Sequence, residues 1–302
     1  MNNIKIMATS FGVLISLISC NNRDTDFDAS GNFEATEIIV SSEANGRIIE
    51  LNIDEGSILE EGQQVGFVDT IQLQLQKERL AASYGAIRSR KADIPKQIAA
   101  IDQQIANLDV EKNRAEKLIE SSAGNTKTLD DINAQIKTLK KQRAAQLSSL
   151  ESGNSSADKE SSAIEVQIRQ LNDQLDRCKI ISPVKGTVLG KYAEAGEITS
   201  AGKPLFKVAN LETIILRAYI TTGQLTKLKI GDNVKVFADF GEKERKEYGG
   251  TVSWISDKAE FTPKTIQTKE ERENLVYAIK VIVKNDGYLK IGMYGELKFQ
   301  NK

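Results

Sequence analysis

Two short stretches of this chain repeat each other across a long helical pattern, and that split constrains the fold more than any other feature. From Asn45 the chain reads NGRIIELNIDEGSILEEGQQVGFVD, and from Lys185 it reads KGTVLGKYAEAGEITSAGKPLFKVA. Gly46, Gly56 and Gly62 have the same spacing as Gly186, Gly196 and Gly202. The apolar positions register as well: Ile48 with Val188, Ile58 with Ile198, Val65 with Leu205 and Val68 with Val208. Short alternating strands punctuated by glycine are a hairpin pattern, because glycine reaches positive φ at little steric cost. We read the two stretches, 46–70 and 179–210, as halves of one β-sandwich whose connecting turn has been replaced by 71–178.

The half-motifs resemble the two halves of a lipoyl- or biotinyl-type sandwich. A carrier domain of that kind presents a modifiable lysine on the turn between its halves. Methionine occurs here only at 1, 7 and 293, so no Met-Lys-Met turn exists, and the first half ends Val68-Asp69-Thr70-Ile71 with no lysine. The carrier reading is set aside.

The insertion reads as an antiparallel coiled-coil hairpin. Ile94, Ile98, Ile101, Ile105 and Leu108 step four and three alternately, which is heptad spacing. Leu129, Ile132, Ile136 and Leu139 do the same on the return, as do Ile164, Ile168, Leu171, Leu175 and Cys178. Two such arms make a rod of roughly 75 Å at 1.5 Å rise per residue. The Gly/Ser/Asn break at 121–126 places the tip, and Asp130 and Asp131 are expected in the first turn of the returning helix, where they suit its dipole. Pro95 lacks a backbone donor, so a kink or local break is expected there. The apolar-poor stretch 150–162 is expected to fray or to stutter the register. A coiled coil that only dimerises the protein is the alternative for the whole insertion.

Composition removes most catalytic chemistries. The 302 residues contain no histidine, which excludes histidine triads, histidine general bases and histidine-ligated metals. Two cysteines, Cys20 and Cys178, cannot build a disulfide framework or a cysteine-rich zinc site. A net charge of −1 gives no electrostatic footprint for nucleic acid. We therefore expect no catalytic residues, no cofactor and no metal.

At the N-terminus Lys5 precedes a short apolar run, Phe11–Ile18, which is too short to span a bilayer and has the form of a signal-peptide core. Leu17-Ile18-Ser19-Cys20 resembles a lipoprotein signal box, in which the cysteine is acylated and becomes the first mature residue; an ordinary signal peptide containing a cysteine is the alternative. With Cys20 acylated, Cys178 has no disulfide partner and reads as a small buried residue. Residues 21–30 read as a polar tether.

Together, the lipoprotein box, the split lipoyl halves, the helical hairpin and a β-rich remainder resemble the HlyD-type membrane fusion proteins. Ile180-Ile-Ser-Pro183-Val-Lys-Gly186 matches that family's strand re-entry motif, and Leu289-Lys-Ile-Gly292-Met293 matches its turn before the last strand. Ala259–Thr268 and Asn274–Ala278 resemble the subgroup that serves ABC-type drug exporters.

The resemblance implies an elongated α+β molecule: a split lipoyl-like β-sandwich with a long antiparallel α-helical coiled-coil hairpin, followed by a β-barrel and a membrane-proximal β domain. In residues, 1–20 is a lipoprotein signal peptide, 21–30 a tether, and 31–45 strands of the barrel or membrane-proximal domain. The barrel is 211–257, with Phe33–Ser41 supplying its first strand, a short helix at Gln224–Lys229 and Trp254 in its core. Residues 258–302 form the membrane-proximal domain, and the charged run Lys269–Glu273 is a solvated loop or a transporter contact. The implied function is that of a periplasmic adaptor, a lipoprotein anchored in the inner membrane. It would join an inner-membrane ABC transporter (permease and ATPase) to an outer-membrane channel of the TolC type, and would self-associate into a ring, hexameric by resemblance. The family's channel-contacting tip is an arginine, a leucine four later and a serine seven beyond. Arg114 and Leu118 fit the first two places, while Asn125, with Thr126 beside it, stands at the third. The competing reading from another class is an envelope scaffold that dimerises through its rod.

Overall fold

The computed structural model describes residues 27–241, 244–260 and 275–300. The repeat closes a sandwich in which neither half is self-sufficient. The first half contributes β2 (Glu37–Ser41), β3 (Gly46–Leu51), β4 (Ile58–Leu59) and β5 (Gln64–Val68). The second contributes β6 (Lys179–Ile181), β7 (Gly186–Lys191), β8 (Ile198–Thr199) and β9 (Pro204–Ala209). Their sheets run β2-β9-β7-β4 and β6-β5-β3-β8, so each short strand pairs into the other half.

Backbone hydrogen bonds repeat the exchange on a pseudo-twofold. Gly56 N donates to Val188 O at 2.8 Å and Gly196 N to Ile48 O at 2.7 Å; Gly62 N donates to Ser182 O and Gly202 N to Ser42 O, both at 2.8 Å. Gly56 and Gly196 turn at φ +89° and +94°, a conformation costly for any residue with a Cβ. Ile48, Val68, Val188, Leu205, Phe206 and Val208 fill the space between the sheets and are fully buried or nearly so.

The insertion is the expected hairpin, with one arm broken. Helix α1 (Ile71–Ser89) and α2 (Ile94–Glu120) together face a single helix, α3 (Thr126–Arg177). Of the kink or local break expected at Pro95, the structure has the break, at residues 90–93 just before it. Pro95 itself sits in the first turn of α2, where its missing donor has no intrahelical acceptor, and Asp93 caps the start. Asp130 and Asp131 lie beyond the first turn of α3, which contains no acidic residue, so the dipole reading is corrected.

The apolar-poor stretch neither frays nor leaves the seam: from Leu150 the inward positions Asn154, Ala157, Ser161 and Ile164 keep the heptad steps through α3. Asn154 faces the break in the other arm. Its Oδ1 accepts from Ala92 N at 2.8 Å and its Nδ2 donates to Ala92 O at 2.9 Å, satisfying both backbone groups of Ala92 within the helix break. Lys91 Nζ pairs with Asp158 alongside, at 2.9 Å. We expect Asn154→Ala to cost about 1–2 kcal/mol and to speed amide exchange at residues 90–96, read by hydrogen exchange, while the sandwich amides stay protected.

The remaining strands form a closed six-stranded barrel in the order β1-β10-β13-β12-β11-β14. These are β1 (Ala29–Glu34), β10 (Thr213–Thr221), β11 (Asn233–Phe240), β12 (Glu244–Ile255), β13 (Val276–Lys284) and β14 (Tyr294–Phe299). Phe33, Leu216, Val236, Val281 and Leu297 lie in its core. Three expectations change here. Residues 276–299, expected in a separate membrane-proximal domain, supply two strands without which this barrel would not close. The Phe33–Ser41 segment divides: β1 enters the barrel, whereas β2 belongs to the sandwich. The short helix, α4, is one turn at Thr222–Leu225, earlier than expected.

Trp254 is also corrected. It is 38% exposed, because a bulge between Val252 and Trp254 places Ser253 and Trp254 on the outer surface together, and Lys280 Nζ lies 5.9 Å from its ring centroid.

Candidate functional site

The hairpin tip is built by two helix ends and a five-residue turn. Helix α2 stops at Glu120, and the Ser121 and Ala123 N–H groups donate to Lys117 O and Leu118 O. Ser122 has φ +59°, the one described non-glycine residue with positive φ. Gly124 packs so closely under Ile119 that an added Cβ would sit 2.7 Å from Ile119 N. Asn125, expected at a contact position, caps α3: its Oδ1 accepts from Lys127 N at 2.9 Å. That hydrogen bond commits the side chain to the turn, and Thr126 beside it is the exposed first residue of the helix.

Arg114 and Leu118 are brought together as expected, one turn apart on α2. Both are exposed, Leu118 at 53%, so Leu118 is not a seam residue; the seam next to it uses Ile119. Arg114 makes no ion pair among the described residues. Val110, four residues earlier, is 51% exposed and extends the same stripe. Sequence reasoning passed over it, although an apolar residue off the heptad steps of Ile105 and Leu108 was the available signal. Toward the root the hairpin is tied by Arg143, whose Nη2 lies 3.3 Å from Asp102 Oδ2; the carboxylate's hydrogen bond holds this guanidinium's pKa above its ordinary value.

The turn residues of the sandwich lie where the repeat put them. Gly46, Gly62 and Gly202 take positive φ, as does Gly292 in the barrel connection between β13 and β14. Gly186 does not: a Cβ there would lie 2.5 Å from Ala209 O, so the position requires space rather than a special dihedral. Pro183 follows Ser182, which is fully buried and donates from Oγ to Val184 O; Ser42 repeats this with Ala44 O in the first half. The equal offset of Ser42 and Ser182 within the repeat was readable and was missed. Cys20 lies outside the described residues, as do Lys269–Glu273 and most of Ala259–Thr268.

A cleft of about 560 Å³ at the hairpin root is lined by Arg47, Asp69, Leu73, Gln174, Arg177 and Cys178. Burial, with a smaller contribution from Asp69, raises the Cys178 thiol pKa, and its Sγ lies 3.3 Å from Gln174 O. A thiol held protonated is a poor nucleophile. Among the described residues no cluster of His, Cys, Asp and Glu could hold a metal, and no helix is long and apolar enough to cross a membrane.

The family model of the barrel-sandwich hybrid domain of RND membrane fusion proteins matches residues 36–211, from the start of β2 to just past β9. The chain belongs to the membrane fusion protein family. The membrane protein YbhG of Salmonella gallinarum is 27% identical over 310 residues, covering 92% of this chain and 90% of its own. YbhG of Salmonella enteritidis is 26% identical, covering 93% and 91%. MacA from Actinobacillus actinomycetemcomitans shares the fold, with a TM-score of 0.52 at 20% identity over 89% of this chain and 76% of that one. As a membrane fusion protein, this chain is a periplasmic, membrane-associated, non-catalytic component of transport.

Proposed function

We propose that this membrane fusion protein links an inner-membrane ABC exporter to an outer-membrane channel of the TolC type. In this reading it is held to the inner membrane by acylated Cys20 and works as a ring of copies, hexameric by family resemblance. The observation that carries the proposal is the exposed stripe Val110, Arg114 and Leu118 at the far end of the hairpin. An arginine fork suits carboxylates and backbone carbonyls, and the two apolar side chains suit a groove between helices. Asn125 supports the turn instead of the partner, so the contact rests on α2.

The ABC assignment is supported by the resemblance of Ala259–Thr268 and Asn274–Ala278. The scaffold reading has less support. A rod that dimerised through its heptads would need its seam free, whereas Ile98, Ile101, Ile132, Ile136 and Leu171 are buried within one chain.

Cys20→Ala should leave the chain unprocessed or unanchored and abolish export. Metabolic labelling with a fatty-acid analogue tests the anchor, and affinity capture from solubilised membranes should recover an ABC permease with its ATPase. Unlabelled wild-type protein that still sediments with membranes would remove the anchor from this account; capture of a transporter of another class would remove the ABC assignment.

A further inference from the structure

Both connections between sandwich and barrel leave from one end of the barrel. Glu34 runs on to β2, and β9 runs on to Thr213. The pairings of β1 with β10 and of β10 with β13 put Asp28 and the turn after α4 at the other end. Gln224 Nε2 donates to Asp28 O, which fastens that turn to the point where the N-terminal segment enters.

The turn itself alternates in and out of the barrel. Leu228 is 4% exposed and packs in the core, whereas Ile230 is 64% exposed, with exposed Lys227 and Lys229 on either side of Leu228. The backbone holds Ile230 outward: Lys229 N donates to Asp232 Oδ2 at 2.8 Å, Gly231 N to Val252 O at 2.8 Å, and Val252 N to Asp232 O at 3.0 Å. Lys258 is exposed at the same end.

Among the described residues, the acidic groups at this end are mostly engaged by neighbouring groups of the barrel. Asp28 Oδ2 accepts from Phe299 N at 2.7 Å, Glu260 pairs with Arg217 at 2.8 Å, and Asp232 accepts from Lys229 N; Asp257 is the exposed exception. Neither Lys227 nor Lys229 is ion-paired among the described residues.

We propose that this barrel end is a lipid contact in which Ile230 enters the headgroup region of the bilayer and Lys227 and Lys229 meet anionic phosphates. The inference rests on the reading of Cys20 as the lipid anchor. Eight residue steps from Cys20 to Asp28 span at most about 28 Å, so the anchor holds this end within reach of the surface. One isoleucine and two lysines would bind a bilayer only weakly from solution, but a tethered patch binds intramolecularly at high effective concentration. Lysine side chains whose stems lie along apolar surface and whose ammonium groups stay in water fit the phosphate level of a bilayer. The contact would set the height and tilt of the barrel above the membrane.

The test uses the full acylated chain in vesicles of zwitterionic lipid with and without 30 mol% anionic lipid as probe surfaces, ~30 mol% being chosen to resemble a charged leaflet. An environment-sensitive fluorophore is placed at Ile230→Cys in a Cys178→Ala background, with Lys290→Cys, at the sandwich-facing end, as control. The expected result is a blue-shifted, brighter probe at 230 on anionic vesicles and no change at 290. Lys229→Ala should lower the population in contact about fivefold.

Acylated protein whose probe at 230 stays aqueous on both vesicles overturns this proposal and leaves the anchor standing. A probe buried only when an inner-membrane transporter is added overturns it in favour of a protein contact. Protein that carries no acyl chain and remains off the vesicles overturns the anchor and this proposal together.

Discussion

Gly186→Val should unfold the sandwich while the barrel survives. The substitution places a Cβ 2.5 Å from Ala209 O and 2.7 Å from Ala209 C, and both are backbone atoms of the adjacent strand β9. No rotamer relieves a clash between main chain and Cβ, so β7 and β9 must separate. They meet in the middle of the sheet that carries Val188, Phe206 and Val208. Overpacking of this kind costs about 3 kcal/mol or more, a large part of the stability of a domain this size. The same shift strains the bonds that Gly56 and Ser57 of the other half make to Val188. Thermal melts should show an early transition carrying the sandwich signal and a later one carrying the barrel. Removing matched heptads from both arms of the hairpin should, by contrast, leave the sandwich transition in place, because each deleted pair takes its own seam contacts with it. An unchanged melt for Gly186→Val would mean that β7 and β9 do not pair in the register that brings Gly186 against Ala209.

Arg114→Ala or Leu118→Ser should abolish export and leave folding, anchoring and transporter capture intact. At 53% exposure Leu118 has little burial to lose, so its truncation should cost well under the 2–5 kcal/mol of a core leucine. Ile132→Ala provides the contrast, since that side chain is 9% exposed in the seam and its loss should destabilise the hairpin by about 2–4 kcal/mol. The diagnostic outcome is therefore a dissociation: tip variants with wild-type melting and no export, against a seam variant with lowered melting. If Leu118→Ser melts early, the stripe is structural and the tip reading fails.

How much of this was legible in the sequence depends on range. The repeat exposed the sandwich, because glycines and apolar residues at equal offsets encode a pseudo-twofold directly. The hairpin followed from Ile94–Leu108 and Ile164–Cys178, where the heptad is apolar. Asn154 was not legible as a seam residue, since its role is to satisfy Ala92 across the hairpin, and a polar residue carries no periodic signal of burial. The barrel was misdivided because its closure is nonlocal: β1 precedes the sandwich, yet pairs with β10 and β14 far along the chain. Trp254 was misplaced because strand alternation assumes an unbroken register, and the bulge at Val252–Trp254 breaks it. At the tip, Arg114 and Leu118 were read by resemblance and stand side by side on an exposed face, while Asn125 has its own turn to cap.

In-cell crosslinking decides whether the hairpin tip meets an outer-membrane channel. A photoreactive residue at Ala123, exposed in the turn and engaged only through its backbone, should leave the fold intact. One dominant adduct with an outer-membrane channel protein is expected, lost when Arg114→Ala is added. Adducts only with other copies of this chain, together with normal export by Arg114→Ala, would contradict it and leave a scaffold that associates through its tip.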